Sequence, residues 1–387
     1  MKISFPHMGQ TLGYKKILEK LGHEVIVPPK PTQRTFELGV KYSPEFLCYP
    51  FKVMMGTYFE VAEQGAELIF SSGGTGPCRA GYYGELHKKI LEQQGYDIPI
   101  LIFDSIFEDT RAFIKSLKTI TNKTPIHKIA YALLFAYRLI CYMDNLEKQL
   151  KILRAYEIKQ GSFDKAWAEI LEKFDGCETF RDLKAVRRHA EQLFAQIPIR
   201  TVAEDEKMRV GLVGEIYVLM ESSTNMEIER KLNALGVEVY NVQSISDWLK
   251  HHLIPKFISR EQSHKVQKKG KQYSALNTGG HDLENIGWII DFADKGFDAV
   301  IHLMPFSCLP ELVTRSIIPT MSEDLNMPIL STSLDEQTGT ANMQTRLEAF
   351  IELVKNKKAA ANAPIDVPEF VKVKEPQTES EMVAKTA

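Results

Sequence analysis

The chain has 387 residues, 44% of them hydrophobic and 25% charged, with a formal net charge of -2 at pH 7. Such a length accommodates two ordinary domains and an accessory segment, and the composition is that of a globular protein. Near-neutral charge removes the electrostatic case for nucleic acid or an acidic membrane surface, and no apolar run is expected to reach the length of a bilayer span.

Residues 1–106 read as alternating strand and helix. Strands are predicted at 2–5 and 23–27, with a helix at 12–21 between them that Gly22 ends. Cys48 opens a helix reaching Gln64; a strand through Leu68, a helix at 82–94 and a strand at 99–103 follow. That order with short loops means a parallel sheet covered on both faces. Strand patterns vanish over 107–205, where helical periodicity dominates at 111–117, 126–156, 163–174 and 180–194. Residues 206–358 return to β/α order, with strands at 209–214, 237–241, 299–303 and 328–332 and helices at 225–235 and 345–355. The fold class is therefore α/β: two Rossmann-like domains with parallel sheets, 1–106 and 206–358, joined by a helical segment at 107–205. The lysines of 263–273 read as a solvated basic loop, and 359–387 as a disordered tail too poor in large apolar groups to offset its ordering entropy.

Five cysteines, an odd number far apart, argue against a disulfide framework and for a reducing cytoplasm; the amino terminus runs straight into a strand without a signal-peptide pattern. Three share one setting. Cys78 follows the strand and glycine-rich turn Ser71-Ser72-Gly73-Gly74-Thr75-Gly76-Pro77, Cys48 sits in Leu47-Cys48-Tyr49-Pro50, and Cys308 in Phe306-Ser307-Cys308-Leu309-Pro310-Glu311. Each has a proline within two residues and a helix beginning after it, where the helix dipole favours thiolate, the form that binds metal. Cys141, mid-helix among apolar residues, reads as core, and Cys177, in a turn, as structural or exposed. None of the cysteines forms the close pairs of a structural zinc site. Three sulfurs from separate strand ends fit an iron–sulfur cluster with one open iron better, and Lys52 and Arg79 follow two of them as candidate counter-charges. The rival chemistry is a cluster-free thiol enzyme with Cys78 as nucleophile and His7, His281 or His302 as base. His302, inside an apolar strand, reads as a satisfied core histidine. Glu215, in Gly214-Glu215-Ile216-Tyr217, is either a cleft-facing acid/base group or a helix cap. The glycine-rich turn matches neither the phosphate-loop pattern nor the dinucleotide fingerprint.

Taken as a set, Cys48-Tyr49-Pro50-Phe51-Lys52, Gly76-Pro77-Cys78-Arg79-Ala80-Gly81-Tyr82-Tyr83, Gly214-Glu215-Ile216-Tyr217, Met304-Pro305-Phe306-Ser307-Cys308-Leu309-Pro310-Glu311, Asp335-Glu336-Gln337-Thr338-Gly339 and Thr345-Arg346-Leu347-Glu348-Ala349-Phe350 resemble the 2-hydroxyacyl-CoA dehydratase family, in its activase-associated branch. The resemblance implies a [4Fe-4S] cluster held by Cys48, Cys78 and Cys308 between two Rossmann-like domains. It also implies an ATP-hydrolysing activator with its own iron–sulfur cluster, and a second dehydratase-like subunit or a homodimer. The substrate is a small molecule, with a CoA thioester as one candidate. In characterised members the activator supplies one low-potential electron, and the resulting ketyl radical anion expels the β-hydroxyl; other relatives reduce aromatic thioesters or small molecules. Glu215 and His281 are the candidate catalytic groups. A non-catalytic cluster carrier, or a maturation or electron-relay partner of such an enzyme, is the alternative. The glycine-rich and cysteine segments here are arranged differently from those of the well-studied dehydratase subunits, so fold and cluster carry over better than the dehydration reaction.

Overall fold

The computed structural model of the chain describes residues 1–73, 77–103, 110–121, 124–253, 261–276 and 278–362. Most of the glycine-rich turn before Cys78, and most of the expected tail, lie outside the described residues. Two four-stranded sheets, parallel throughout, carry the fold. The first holds β1 (Lys2–Ser4), β2 (Glu24–Val25), β3 (Leu68–Ser72) and β4 (Ile100–Phe103) in the order β2-β1-β3-β4. The second holds β5 (Met208–Gly214), β6 (Val237–Asn241), β7 (Ala299–Pro305) and β8 (Ile329–Leu334) in the order β6-β5-β7-β8. The α/β expectation of two Rossmann-like parallel sheets is met. In each sheet the chain moves to one side of its first strand and then to the other, so each has a switch point, between β1 and β3 and between β5 and β7. Crevices at the carboxyl ends of such strands are where α/β proteins bind ligands.

The helix Tyr49–Glu63 is apolar on every side, and its residues from Tyr49 to Ala62 are buried. It packs against the helix Gln33–Tyr42, which hydrophobic periodicity did not reveal. The two touch through glycine: a Cβ on Gly39 would meet the Lys52 carbonyl oxygen at 2.1 Å, and one on Gly56 the Thr35 carbonyl oxygen at 1.9 Å. This contact fixes the backbone that carries Cys48.

The helices Thr110–Thr121, Ile126–Leu153, Ser162–Asp175 and Phe180–Gln196 occupy the middle of the chain, as periodicity predicts. Three of them share a core of Phe135, Leu139, Met143, Phe163, Phe174 and Phe194. The expectation about bilayer-length runs needs correcting, because the helical stretch Ile126–Tyr156 is long and apolar enough to cross a membrane by length and composition. One face of it, however, is committed to protein: Phe135, Leu139, Met143 and Leu146 are buried, and Lys148 and Lys151 pair with Asp247 and Glu229. The basic loop at 263–273 is also corrected, since Glu261–Gly270 is a helix whose Lys269 pairs with Asp291 and Asp294. The last described helix, Thr340–Asn362, runs past the expected start of the tail at 359.

Candidate functional site

Each of the three candidate cysteines is the residue before a helical segment. Cys48 precedes Tyr49–Glu63, Cys78 the short 3-10 turn Arg79–Tyr82, and Cys308 the helix Leu309–Asp324; proline stands in the first turn after Cys48 and Cys308. None of the sulfurs closes a regular cap, yet the backbone N–H of Phe51, Ala80 and Glu311 respectively favours each thiolate. Cys48 and Cys308 are 6% and 7% exposed, and Cys78 is half-buried.

The three come from distant stretches yet share their neighbours. The Cys48 sulfur contacts the Tyr83 hydroxyl, which lies one turn beyond Cys78 and feels the charge of both thiols. The carboxylate of Glu215 acts on Cys48, Cys78 and Cys308 alike, Glu311 on Cys78 and Cys308, and the Arg79 guanidinium on Cys48 and Cys78. Cys141 belongs to Ile126–Leu153 beside Tyr137 and Lys250. Cys177 is buried, with its thiol donating to the Lys173 carbonyl at 3.4 Å, so of its two readings the structural one holds.

Glu215 stands at the switch point of the second sheet. Gly214 ends β5 at φ 144, where a Cβ would meet the Leu303 carbonyl oxygen at 2.1 Å, so only glycine lets β5 lie this close to β7. Glu215 then caps the helix Ile216–Met220, accepting from the Val218 N–H at 3.1 Å. The cap reading is thus correct. Burial, with a smaller push from Glu311, raises its pKa to about 7 against two helix amides that lower it.

The histidines divide. His302 is buried in β7 and fully partnered, through Nε2 to Glu311 Oε2 at 2.7 Å and Nδ1 to Ser331 Oγ at 2.9 Å, as a core histidine would be. His7, just beyond β1, pairs with Glu221 of the other half at 2.6 Å. His281 precedes the helix Asp282–Asp294, in a loop where a Cβ on Gly280 would meet Pro310 at 2.4 Å. Among the described residues, no histidine is hydrogen-bonded to any of the three sulfurs.

Burial raises all three thiols above their ordinary range. For Cys308, Glu311 and Glu215 push the same way; for Cys48 and Cys78, Arg79 opposes the shift. The helix amides therefore do less than the sequence suggested, because desolvation outweighs them. The thiol enzyme reading takes Cys78 as nucleophile with a histidine base; burial raises that half-buried thiol, and among the described residues no histidine is hydrogen-bonded to it, which counts against that reading. A bound metal reverses the balance, since a coordinating thiol is deprotonated outright. Among the described residues, no three Cys, His, Asp or Glu side chains close around a point at single-ion spacing. The Cys48 sulfur touches the Tyr83 hydroxyl and Cys78 acts on the same hydroxyl, and a four-iron cube, which takes its thiolates at separate corners, does not ask for single-ion spacing. Three soft donors and no competing imidazole fit a cluster of that kind.

Sequence reasoning did not find Tyr83, Glu311 or Asn285. Glu311, buried one turn after Cys308, accepts from Asn285 Nδ2 at 3.0 Å, and Asn285 Oδ1 accepts from the Gly214 N–H at 3.1 Å. Only Tyr83 left a signal, as an aromatic four residues before His87 on one helix face.

Residues 8–71, which include Cys48, match the family described as CoA enzyme activase uncharacterised domain (DUF2229). That match supports a relationship to the activase and dehydratase systems named by the sequence resemblance. No curated protein matches the chain.

Proposed function

We propose that this chain is an iron–sulfur protein of the ATP-activated 2-hydroxyacyl-CoA dehydratase and reductase kind, with Cys48, Cys78 and Cys308 holding a [4Fe-4S] cluster. The observation that carries the reading is that three cysteines from separate parts of the chain, each at the start of a helical segment, are tied together beside Cys78 by Arg79, which donates to the carbonyls of Phe46, near Cys48, and of Ser307, next to Cys308. The activase-associated match over residues 8–71 supports it independently. Two units, 1–106 and 206–358, flank the site and 107–205 links them.

When bound, such a cluster supplies one-electron transfer to a substrate at low potential. The chain's own groups prepare the site for it. The amides of Phe51, Ala80 and Glu311 favour thiolate at each sulfur, and the Arg79 guanidinium balances negative charge beside two of them. Glu215, its pKa raised by burial to about 7, exchanges a proton around neutral pH and is the candidate acid. His281 is the second candidate, from the loop packed on Pro310. The partners of this reading are an ATP-hydrolysing activator with its own cluster, and a second dehydratase-like subunit or a second copy, in the cytoplasm. The substrate is a small molecule, a CoA thioester in the family's own pattern.

Anaerobic purification with iron and sulfide analysis tests the proposal. A brown protein with about four irons per chain is expected. Cys48→Ser, Cys78→Ser and Cys308→Ser each strip the iron, whereas Cys141→Ser keeps it. Background iron in the wild type after anaerobic reconstitution, or full retention in the three serine variants, overturns it.

A further inference from the structure

Arg79 does more than place a charge near two sulfurs. Its Nη1 donates to the Phe46 carbonyl at 2.7 Å, and its Nη2 donates to the Ser307 carbonyl and, at 3.1 Å, to Ser307 Oγ. Ser307 Oγ in turn donates to the Phe46 carbonyl at 3.2 Å, closing a triangle. Phe46 lies two residues before Cys48, Ser307 one before Cys308, and Arg79 one after Cys78. One guanidinium therefore joins the backbone beside all three cysteines, across the two halves of the chain. Ser307 holds φ 65, a left-handed conformation that a residue with a Cβ keeps only when its surroundings impose it. The fork geometry of the donors matters here. Arginine reaches two carbonyls at fixed angles, whereas the single ammonium of lysine cannot bridge them in the same way.

We infer that Arg79 is the positioning residue that holds the three cysteine-bearing loops in register with one another, independently of any cluster. The inference rests on the cluster reading for its purpose, but its geometry involves the chain's own groups alone and is tested first without metal. Metal-free wild type, Arg79→Lys and Arg79→Met are each labelled with a thiol-alkylating reagent, and every cysteine is followed by mass spectrometry. Both variants are expected to speed labelling at Cys48 and Cys308 by about tenfold, as the loops open locally, while Cys141 and Cys177 keep their wild-type rates. Thermal melts followed by circular dichroism check that each variant is folded. Anaerobic reconstitution then reads iron per chain, with both variants expected to hold less than the wild type.

Arg79→Lys is the deciding arm, because it retains charge and loses the fork. Wild-type labelling and wild-type iron in Arg79→Lys overturn the clamp and leave charge alone as the role of Arg79. Faster labelling in the variants of a chain whose wild type takes up no iron sustains the clamp and sinks the cluster reading, so the two failures are distinguishable. Should Arg79→Met fail to fold, Arg79→Lys still decides the matter.

Discussion

The carboxylate of Glu311 is 1% exposed and, among the described residues, pairs with no lysine or arginine. Its oxygens accept instead from Asn285 Nδ2 and face His302 Nε2. The residue thereby fixes the first turn after Cys308 to β7 and, through Asn285 and the Gly214 N–H, to the end of β5 that presents Glu215. Both carboxylate oxygens are engaged. Glu311→Gln changes only an oxygen to NH2, but that turns a donor toward Asn285 or His302 and leaves a buried pair facing each other without an acceptor. The expected cost is about 1–3 kcal/mol of folding stability, read from urea unfolding midpoints with an unchanged slope. A variant as stable as the wild type would mean that the network does not tie the strand ends together. The sequence marks Glu311 only as the last residue of a motif shared with the resembled family and gives it no role: its partners lie 26 and 9 positions away and meet it only once the second sheet has formed.

The helix Tyr83–Gln93 supports the site from beneath. Tyr83 and His87, one turn apart, both face Phe51; the His87 ring stacks on Phe51 at 3.9 Å and meets Tyr58 edge-on at 5.0 Å. His87 is fully buried, with Nε2 donating to the Phe51 carbonyl at 3.0 Å and Nδ1 without a partner. Burial lowers its pKa from 6.5 to about 3. Above pH 6.5 the ring is neutral in both folded and unfolded chains and contributes no pH dependence. Below it the unfolded chain binds the proton first, so stability falls with pH by up to about 1.4 kcal/mol per unit until the folded ring also titrates. His87→Gln keeps a donor for Phe51 and removes the titration. The variant should therefore show a flatter stability profile between pH 6.5 and 4, and parallel profiles would rule out the buried neutral ring as its source. Elements like this one were legible because apolar residues recur on one face. The helix Gln33–Tyr42 was not, because its fully buried residues are Thr35 and Gly39, small ones, while Phe36, Leu38 and Tyr42 are only partly covered. The helix Glu261–Gly270 was read as a loop from its lysines, although Val266 is buried and its carbonyl oxygen would lie 2.0 Å from a Cβ on Gly287. The cysteines, by contrast, stood out through chemistry, as thiols beside proline at a helix start; the strand-end placement expected for all three holds for Cys78 and Cys308 but not for Cys48, which follows the helix Gln33–Tyr42.

At the scale of the whole molecule, one core runs through both sheets, including Phe51, Tyr58 and Ile69 from the first half and Tyr217, Leu303 and Leu334 from the second. Polar ties cross the same boundary: Tyr217 donates to the His7 carbonyl at 2.8 Å, His7 meets Glu221, and Lys52 Nζ bonds Glu336 Oε1 at 2.6 Å. The last joins a permanent cation to a carboxylate, with side chains 7% and 19% exposed. Lys52 lies on the helix that Cys48 opens, and Glu336 on the loop after β8, so the pair sets how the first cysteine faces the second half. Two charges taken this far out of water gain little net energy together, but either one left alone is costly. Lys52→Met strands Glu336, which retains some solvent; Glu336→Gln strands the lysine, which has almost none. Each single change is expected to cost about 3 kcal/mol, the second more than the first, while Lys52→Met with Glu336→Gln recovers a large part of the loss. A double-mutant cycle by urea unfolding measures that coupling. Strictly additive losses would show that the ion pair does not join the halves, and that the shared apolar core holds the cysteine helix against β8 unaided.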